Sequence, residues 1–116
     1  MKGTIDAVTP SLNSYLAWHW AKRGREVKRW QMLVLAAFGW GKYSKKRMRL
    51  TVRQWRRRRI DSTNFVGGLK PLEDALVRLG HLYDDSLAWV EQGPHEQLRA
   101  GKGKPRTEIT LEEVEG

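Results

Sequence analysis

Residues 45–59 read KKRMRLTVRQWRRRR, and their alternation decides the fold. Met48, Leu50 and Val52 fall on one side of an extended chain, and Arg47, Arg49, Thr51 and Arg53 on the other. A period of two with one apolar side predicts a half-buried strand with a basic outer face. That strand hands the chain to RRRRIDSTN (56–64), where Arg56, Arg57, Arg58 and Arg59 precede Asp61. A surface that only attracts polyanions has no use for the acid. A carboxylate that holds a metal against a phosphate drawn in by arginines does have one.

Outward from this strand, GTIDAVT (3–9) predicts a short first strand ended by Pro10. A helix follows over residues 11–41, with Ser11 or Asn13 as N-cap, Gly24 as an interruption and Gly39 or Gly41 as its end. Val27, Trp30, Val34, Ala37 and Phe38 form its apolar stripe, with Lys22, Arg25, Lys28 and Arg29 off it. Beyond Asp61, NFVGGLKPLEDALVRLG (64–80) predicts a second helix. Leu69, Leu72, Leu76 and Leu79 lie along its buried side, Pro71 in its first turn and Gly80 at its stop. HLYDDS reads as a turn, SLAWVEQ (86–92) and RTEITLEEV (106–114) as strands, and RAGKGKP as a basic hairpin loop between them. The expected fold is a single small α+β domain over 1–116, in the order β-α-β-α-β-β, with two helices on one mixed or antiparallel sheet.

Composition narrows the chemistry. The chain has six Trp and no Cys, which excludes disulfides and thiolate-bound zinc. His19, His81 and His95 lack metal-ligand spacing, so any metal is expected to be a hard, oxygen-bound cation, magnesium or manganese. No window approaches the ~18 apolar residues of a membrane span, and the N-terminus has no signal-like apolar region. The expectation is a cytoplasmic protein with no membrane partner. Of the +9 formal charge, residues 1–60 hold 16 Lys and Arg against 2 acids, and residues 61–116 hold 6 against 11. Such polarity suits a polyanion-binding face beside a cation-binding pocket, or a solvated surface.

Several residues carry candidate chemistry, each with a plainer alternative. In IDSTN an extended chain would put Asp61 and Thr63 on one side, offering one carboxylate and one hydroxyl; Asp61 also suits a turn or cap, and Asn64 an N-cap. Asp84 and Asp85 would supply further acids, or a turn. Magnesium is usually held by one or two carboxylates with water and phosphate oxygens, a minimum that Asp61 and one of that pair would meet. Lys70 and Asp74, at i,i+4, form a helical ion pair, or place Lys70 to stabilise charge on a phosphate. Gly67 and Gly68 allow close approach of a DNA backbone, or start the helix. VGGLK lacks the pattern of a P-loop, so no nucleotide cofactor is expected. Trp55 is placed to stack on an unpaired base, or to pack on a partner subunit.

The segment RRRRIDSTNFVGGLKPLEDALVRLGHLYDDS resembles the RusA family of Holliday junction resolvases, especially the phage and prophage forms. There a basic strand leads into D-x-D-N, then a helix with a lysine and D-A-L, then a D-D turn. Here these stand as Asp61, Thr63 and Asn64, then Lys70, then Asp74-Ala75-Leu76, then Asp84-Asp85, and Asn13 falls in a P-S-x-N opening. The resemblance implies a homodimeric, magnesium-dependent endonuclease that nicks two opposed strands of a four-way DNA junction. It assigns catalysis to Asp61, Lys70 and Asp85, and metal binding to Asp61 and Asp85 with Asp84, Thr63 and Asp74 as further ligands. DNA contact is expected from Lys45, Lys46, Arg47, Arg49, Arg53, Trp55 and Arg56–Arg59, with Asn13 and Asn64. Thr63 departs from the family, which has a second aspartate there. A junction binder that does not cut is the alternative.

Overall fold

In the computed structural model, which describes residues 1–115, nine elements follow in chain order: β1 (Lys2–Ile5), α1 (Leu12–Ala17), α2 (Trp20–Phe38), β2 (Met48–Arg56), α3 (Ser62–Gly67), α4 (Lys70–Arg78), β3 (Val90–Gln92), β4 (Glu96–Arg99) and β5 (Arg106–Glu113). The alternation in KKRMRLTVRQWRRRR is realised in β2. Leu50, Val52 and Gln54 are fully buried, while Arg49, Thr51, Arg53 and Trp55 keep partial exposure on the outer face. Its inner face joins Trp30, Val34, Leu72, Leu76 and Ile109 in one core. Truncating a leucine there, such as Leu50→Ala, costs about 2–5 kcal/mol.

The sheet is mixed and runs β1-β5-β2-β3, with β4 also on β2. β5 is antiparallel to both neighbours; β3 and β4 run parallel to β2, beside Met48–Leu50 and Arg53–Arg56 respectively. The edge therefore breaks at Gly93-Pro94, a cis peptide. A side chain bridges the break: the Val52 N–H donates to Nδ1 of His95 at 3.0 Å, and the other ring nitrogen lies 2.7 Å from Oε1 of Gln92. Helices α2 and α4 pack together against the inner face, giving the expected α+β architecture.

Several expected elements are shorter or divided. The first strand stops at Ile5, where the Ala7 N–H turns back to the Ile5 carbonyl, and Ala7 and Thr9 are buried beyond it. The first helix splits at Trp18 and His19, both extended; Ser11 caps α1 and His19 caps α2. Gly24 does not interrupt α2, and Gly39 ends it with φ of +69°. Trp30 and Val34 are buried as expected, but Ala37 is exposed. The second helix splits at Gly68. A Cβ there would stand 2.0 Å from the Pro10 carbonyl oxygen, and one on Gly67 would meet the Leu12 side chain at 2.6 Å. The space these glycines open is filled by the N-terminal segment, not left for a DNA backbone.

SLAWVEQ yields strand only at Val90–Gln92, because the Trp89 and Val90 N–H groups both turn onto the Ser86 carbonyl. EQLR forms a strand that the sequence reading did not contain. RAGKGKP is no hairpin loop: β4 and β5 flank β2 on opposite sides, so the connection crosses the end of β2. Among the described residues no helix is long and apolar enough to cross a membrane.

Candidate active site

Helix α4 begins at Lys70, and the chain beyond it returns to that beginning. Gly80, at φ +82°, reverses direction, and the N–H groups of His81 and Leu82 bind the Leu76 carbonyl. Buried Leu82 anchors the return and Tyr83 packs edge-on against Trp89, at 4.5 Å between ring centres. A nine-residue helix rises about 13 Å, and the chain returns over that distance through a turn and a series of bends. Asp85 thereby meets Lys70, fifteen positions earlier, with Nζ to Oδ2 at 2.5 Å. The same ammonium lies 3.1 Å from Asp74 Oδ1, one turn along α4. Asp84 steadies the turn through its Oδ1, which accepts the Asp85 N–H at 2.9 Å.

Lys70 is thus the centre of a two-carboxylate clamp. The hydrogen bond that it donates to Asp85 raises its pKa well above the ordinary lysine value, outweighing burial, and Asp74 adds to the shift. The Lys70 ammonium in turn holds the Asp85 carboxyl below its ordinary range. Glu73, whose pKa is raised by burial, is steadied by Gln92 Nε2 at 3.2 Å. Burial also raises the Tyr15 hydroxyl, with Asp74 next in effect, so α1 borders the cluster. Beside the clamp, Val27 and Gln31 of α2 face Asp74, Val77, Arg78 and Asp85 across a cleft of about 370 Å³.

Asp61 belongs to a second arrangement. Its backbone is extended, and its carboxylate caps α3 by accepting the Asn64 N–H (3.0 Å) and the Asn64 side-chain amide (2.7 Å). These bonds lower its pKa. Asn64 Oδ1 accepts the Asn13 N–H at 2.9 Å, tying α1 to α3. Asn64 is therefore a bridging residue and not the N-cap. Thr63 sits exposed in the first helical turn, so the side-by-side placement with Asp61 expected of extended chain does not form. Among the described residues no hydrogen bond or ion pair joins Asp61 to Lys70, Asp74, Asp84 or Asp85, and no three acids or histidines are grouped to hold a metal.

The basic strand is more balanced than its sequence implies. Arg47 and Arg49 reach Glu91 at 3.6 and 2.9 Å, Arg53 reaches Glu96 at 3.2 Å and Glu108 at 4.0 Å, and Lys46 reaches Glu113 at 3.3 Å. Trp55 lies under the guanidinium groups of Arg53 and Arg106, at 5.2 and 4.1 Å. Lys45 sits 5.5 Å over the Tyr83 ring. Arg56 turns inward, donating to the Thr9 carbonyl at 2.9 Å and to Gln54. Arg57, Arg58 and Arg59 are exposed.

Sequence reasoning missed the polar network beneath Arg56. Buried Gln54 donates to Thr9 Oγ1 (3.1 Å) and Thr107 Oγ1 (3.0 Å), and Thr107 donates to the Ala7 carbonyl (2.6 Å). Its signal was available: Gln54 occupies an inward position of the β2 alternation. No family model and no curated protein matches this chain.

Proposed function

We propose that this chain is a magnesium-dependent endonuclease of branched DNA, resembling the RusA resolvases and acting as a homodimer in the cytoplasm of a host cell. The observation that carries the reading is the Lys70 clamp: the lysine of the family motif is brought to the aspartates of its D-A-L and D-D segments. An ammonium whose pKa is raised stays charged at any working pH. Its fitting role is to stabilise charge on a phosphate, since it is a poor proton acceptor.

The donors fit a hard cation. Asp74 and Asp85 present only oxygen and keep about a third of their side-chain surface exposed (34% and 32%), so a hydrated ion has access. These two carboxylates would hold magnesium in place of the ion pairs they make with the Lys70 ammonium. Bound there, the ion would supply charge neutralisation at phosphorus and a more acidic water. Asp61 has both carboxylate oxygens hydrogen-bonded to Asn64, which makes Asn64 a positioning residue for it. Exposed Arg57, Arg58 and Arg59 grip the flanking DNA backbone without reading sequence. A twofold dimer would present two such sites to a four-way junction.

A second reading, a junction binder that does not cut, is favoured by two observations: Asp61 is engaged as a helix cap and Thr63 carries no charge. Incubating a synthetic four-way junction with and without magnesium separates the two. Paired, symmetric nicks that require the ion support the nuclease; tight junction binding with no nick at any magnesium concentration refutes it.

A further inference from the structure

A separate groove of about 480 Å³ runs from the start of α1 to the end of β2, within the size range of small-ligand sites. Trp18, Arg29, Arg56, Ser11, Ser14 and Ile60 line it. Arg56 is its unusual member. The guanidinium is half-buried, which lowers its pKa, and among the described residues no carboxylate pairs with it. Only Nη1 is used within the protein, toward Thr9 and Gln54; Nη2 and Nε donate to no protein acceptor among the described residues. A half-buried cation with free N–H groups and no counter-charge attracts an anion. Glu26, which also lines the groove, is already engaged by Arg29 (3.1 Å) and by the Trp30 indole N–H (3.0 Å).

The opposite wall is aromatic. Trp18 breaks the helix between α1 and α2, and Lys22 lies 4.1 Å over its ring. Tyr15 meets this ring edge-on at 6.1 Å, and an indole lining the same groove as a guanidinium with free N–H groups supplies partners for the two halves of a nucleotide, a base face and a phosphate. Beyond Arg56 the chain carries three exposed arginines that make no ion pair among the described residues, followed by Asp61 at the α3 cap.

We infer that this groove binds one nucleotide of an unpaired DNA strand, with its phosphate on Arg56 and Arg29 and its base against Trp18. The inference rests on the DNA-processing reading for the identity of its ligand, and it moves the stacking role from Trp55, which lies under two guanidinium groups, to Trp18, which lies under one ammonium.

The test uses the full chain with EDTA present, so that cutting plays no part. Fluorescence anisotropy compares a labelled oligothymidylate of about eight nucleotides with a duplex of equal length, within the usual site sizes. Trp18→Leu is expected to weaken single-strand binding by roughly 5–100-fold, the range for one lost base–aromatic stack, and Trp18→Phe to restore most of it. Duplex binding should change by less than about twofold. Arg29→Gln should reduce the salt slope of single-strand binding by about 0.7. Arg56→Gln also loosens Thr9, so the Trp18 and Arg29 variants decide. Equal losses for duplex and single strand, or no loss with Trp18→Leu, overturn the groove. A chain that cuts no junction but shows the Trp18 effect keeps the groove and loses the nuclease; junction cutting without that effect does the reverse.

Discussion

Replacing Lys70 with methionine separates what the clamp does for the fold from what it does for chemistry. The ammonium meets two carboxylates, but its side chain is 49% exposed and those of Asp74 and Asp85 are 34% and 32% exposed. Exposed pairs of this kind contribute about 0.2–1 kcal/mol each, so removing both should cost roughly 1 kcal/mol after solvent screening. For a domain of this length that lowers Tm by about 4 °C. Loss of a preorganised charge at a reacting phosphate costs far more, about 10²–10³-fold in kcat. The pH dependence of the structural part follows from the two shifts. Lys70, raised from 10.5, contributes stability that is complete below 10.5 and lost as pH rises through its folded value. Asp85, lowered from 3.8, contributes stability present above 3.8 and lost as pH falls through its folded value. Across pH 5–9 the stability difference between wild type and Lys70→Met should therefore be flat, as read by urea melts, while junction cleavage is nearly abolished. A variant within about threefold of wild-type cleavage would refute the role of Lys70 in the reaction, and a loss of stability above roughly 3 kcal/mol would refute the screened-pair estimate.

Gln54→Leu should destabilise by about 2–4 kcal/mol in chemical denaturation, because the Thr9 hydroxyl and Arg56 Nη1 lose buried partners. Adding Thr9→Val should recover part of that loss, since one stranded hydroxyl is then gone. His95, held below its ordinary pKa of 6.5 by burial, contributes stability present above that value and lost as pH falls through its folded one. The protection factor of the Val52 amide, with the intrinsic pH dependence of exchange divided out, should fall in the wild type as pH drops below 6.5. His95→Asn, which keeps an acceptor near that amide but cannot titrate, should flatten the response.

The strongly periodic parts of the chain were legible in advance. Leu50 and Val52 in β2, Thr107, Ile109 and Leu111 in β5, and the leucines of α4 all fall inside as their spacing requires. Breaks in the helices were not, because they arise from contacts made at a distance: the approach of Gly68 to Pro10 and the capping of α2 by His19. β4 was hidden because EQLR has no alternation of its own and is held by pairing with Arg53–Arg56. The uneven charge of the two halves was misleading for a similar reason. Glu91, Glu96, Glu108 and Glu113 lie beside the cations of β2 and neighbouring residues, so much of the contrast along the chain cancels across the sheet. At the candidate site, the Lys70–Asp74 pair followed from helical spacing alone. The arrival of Asp85 depended on the turn at Gly80, and the engagement of Asp61 by Asn64 on where α3 begins.

The position of β5 bears on how the chain is assembled. It follows every other described strand in chain order, yet it lies between β1 and β2 and is the sole partner of β1 among the described residues. Residues 2–5 must therefore wait for residues 107–110 before their ladder can close, a separation that slows folding. While translation proceeds, β2 offers an open edge and β1 has nothing to pair with. A ribosome that stalls before residue 106 would release a chain with its helices encoded but its sheet divided, a form open to aggregation.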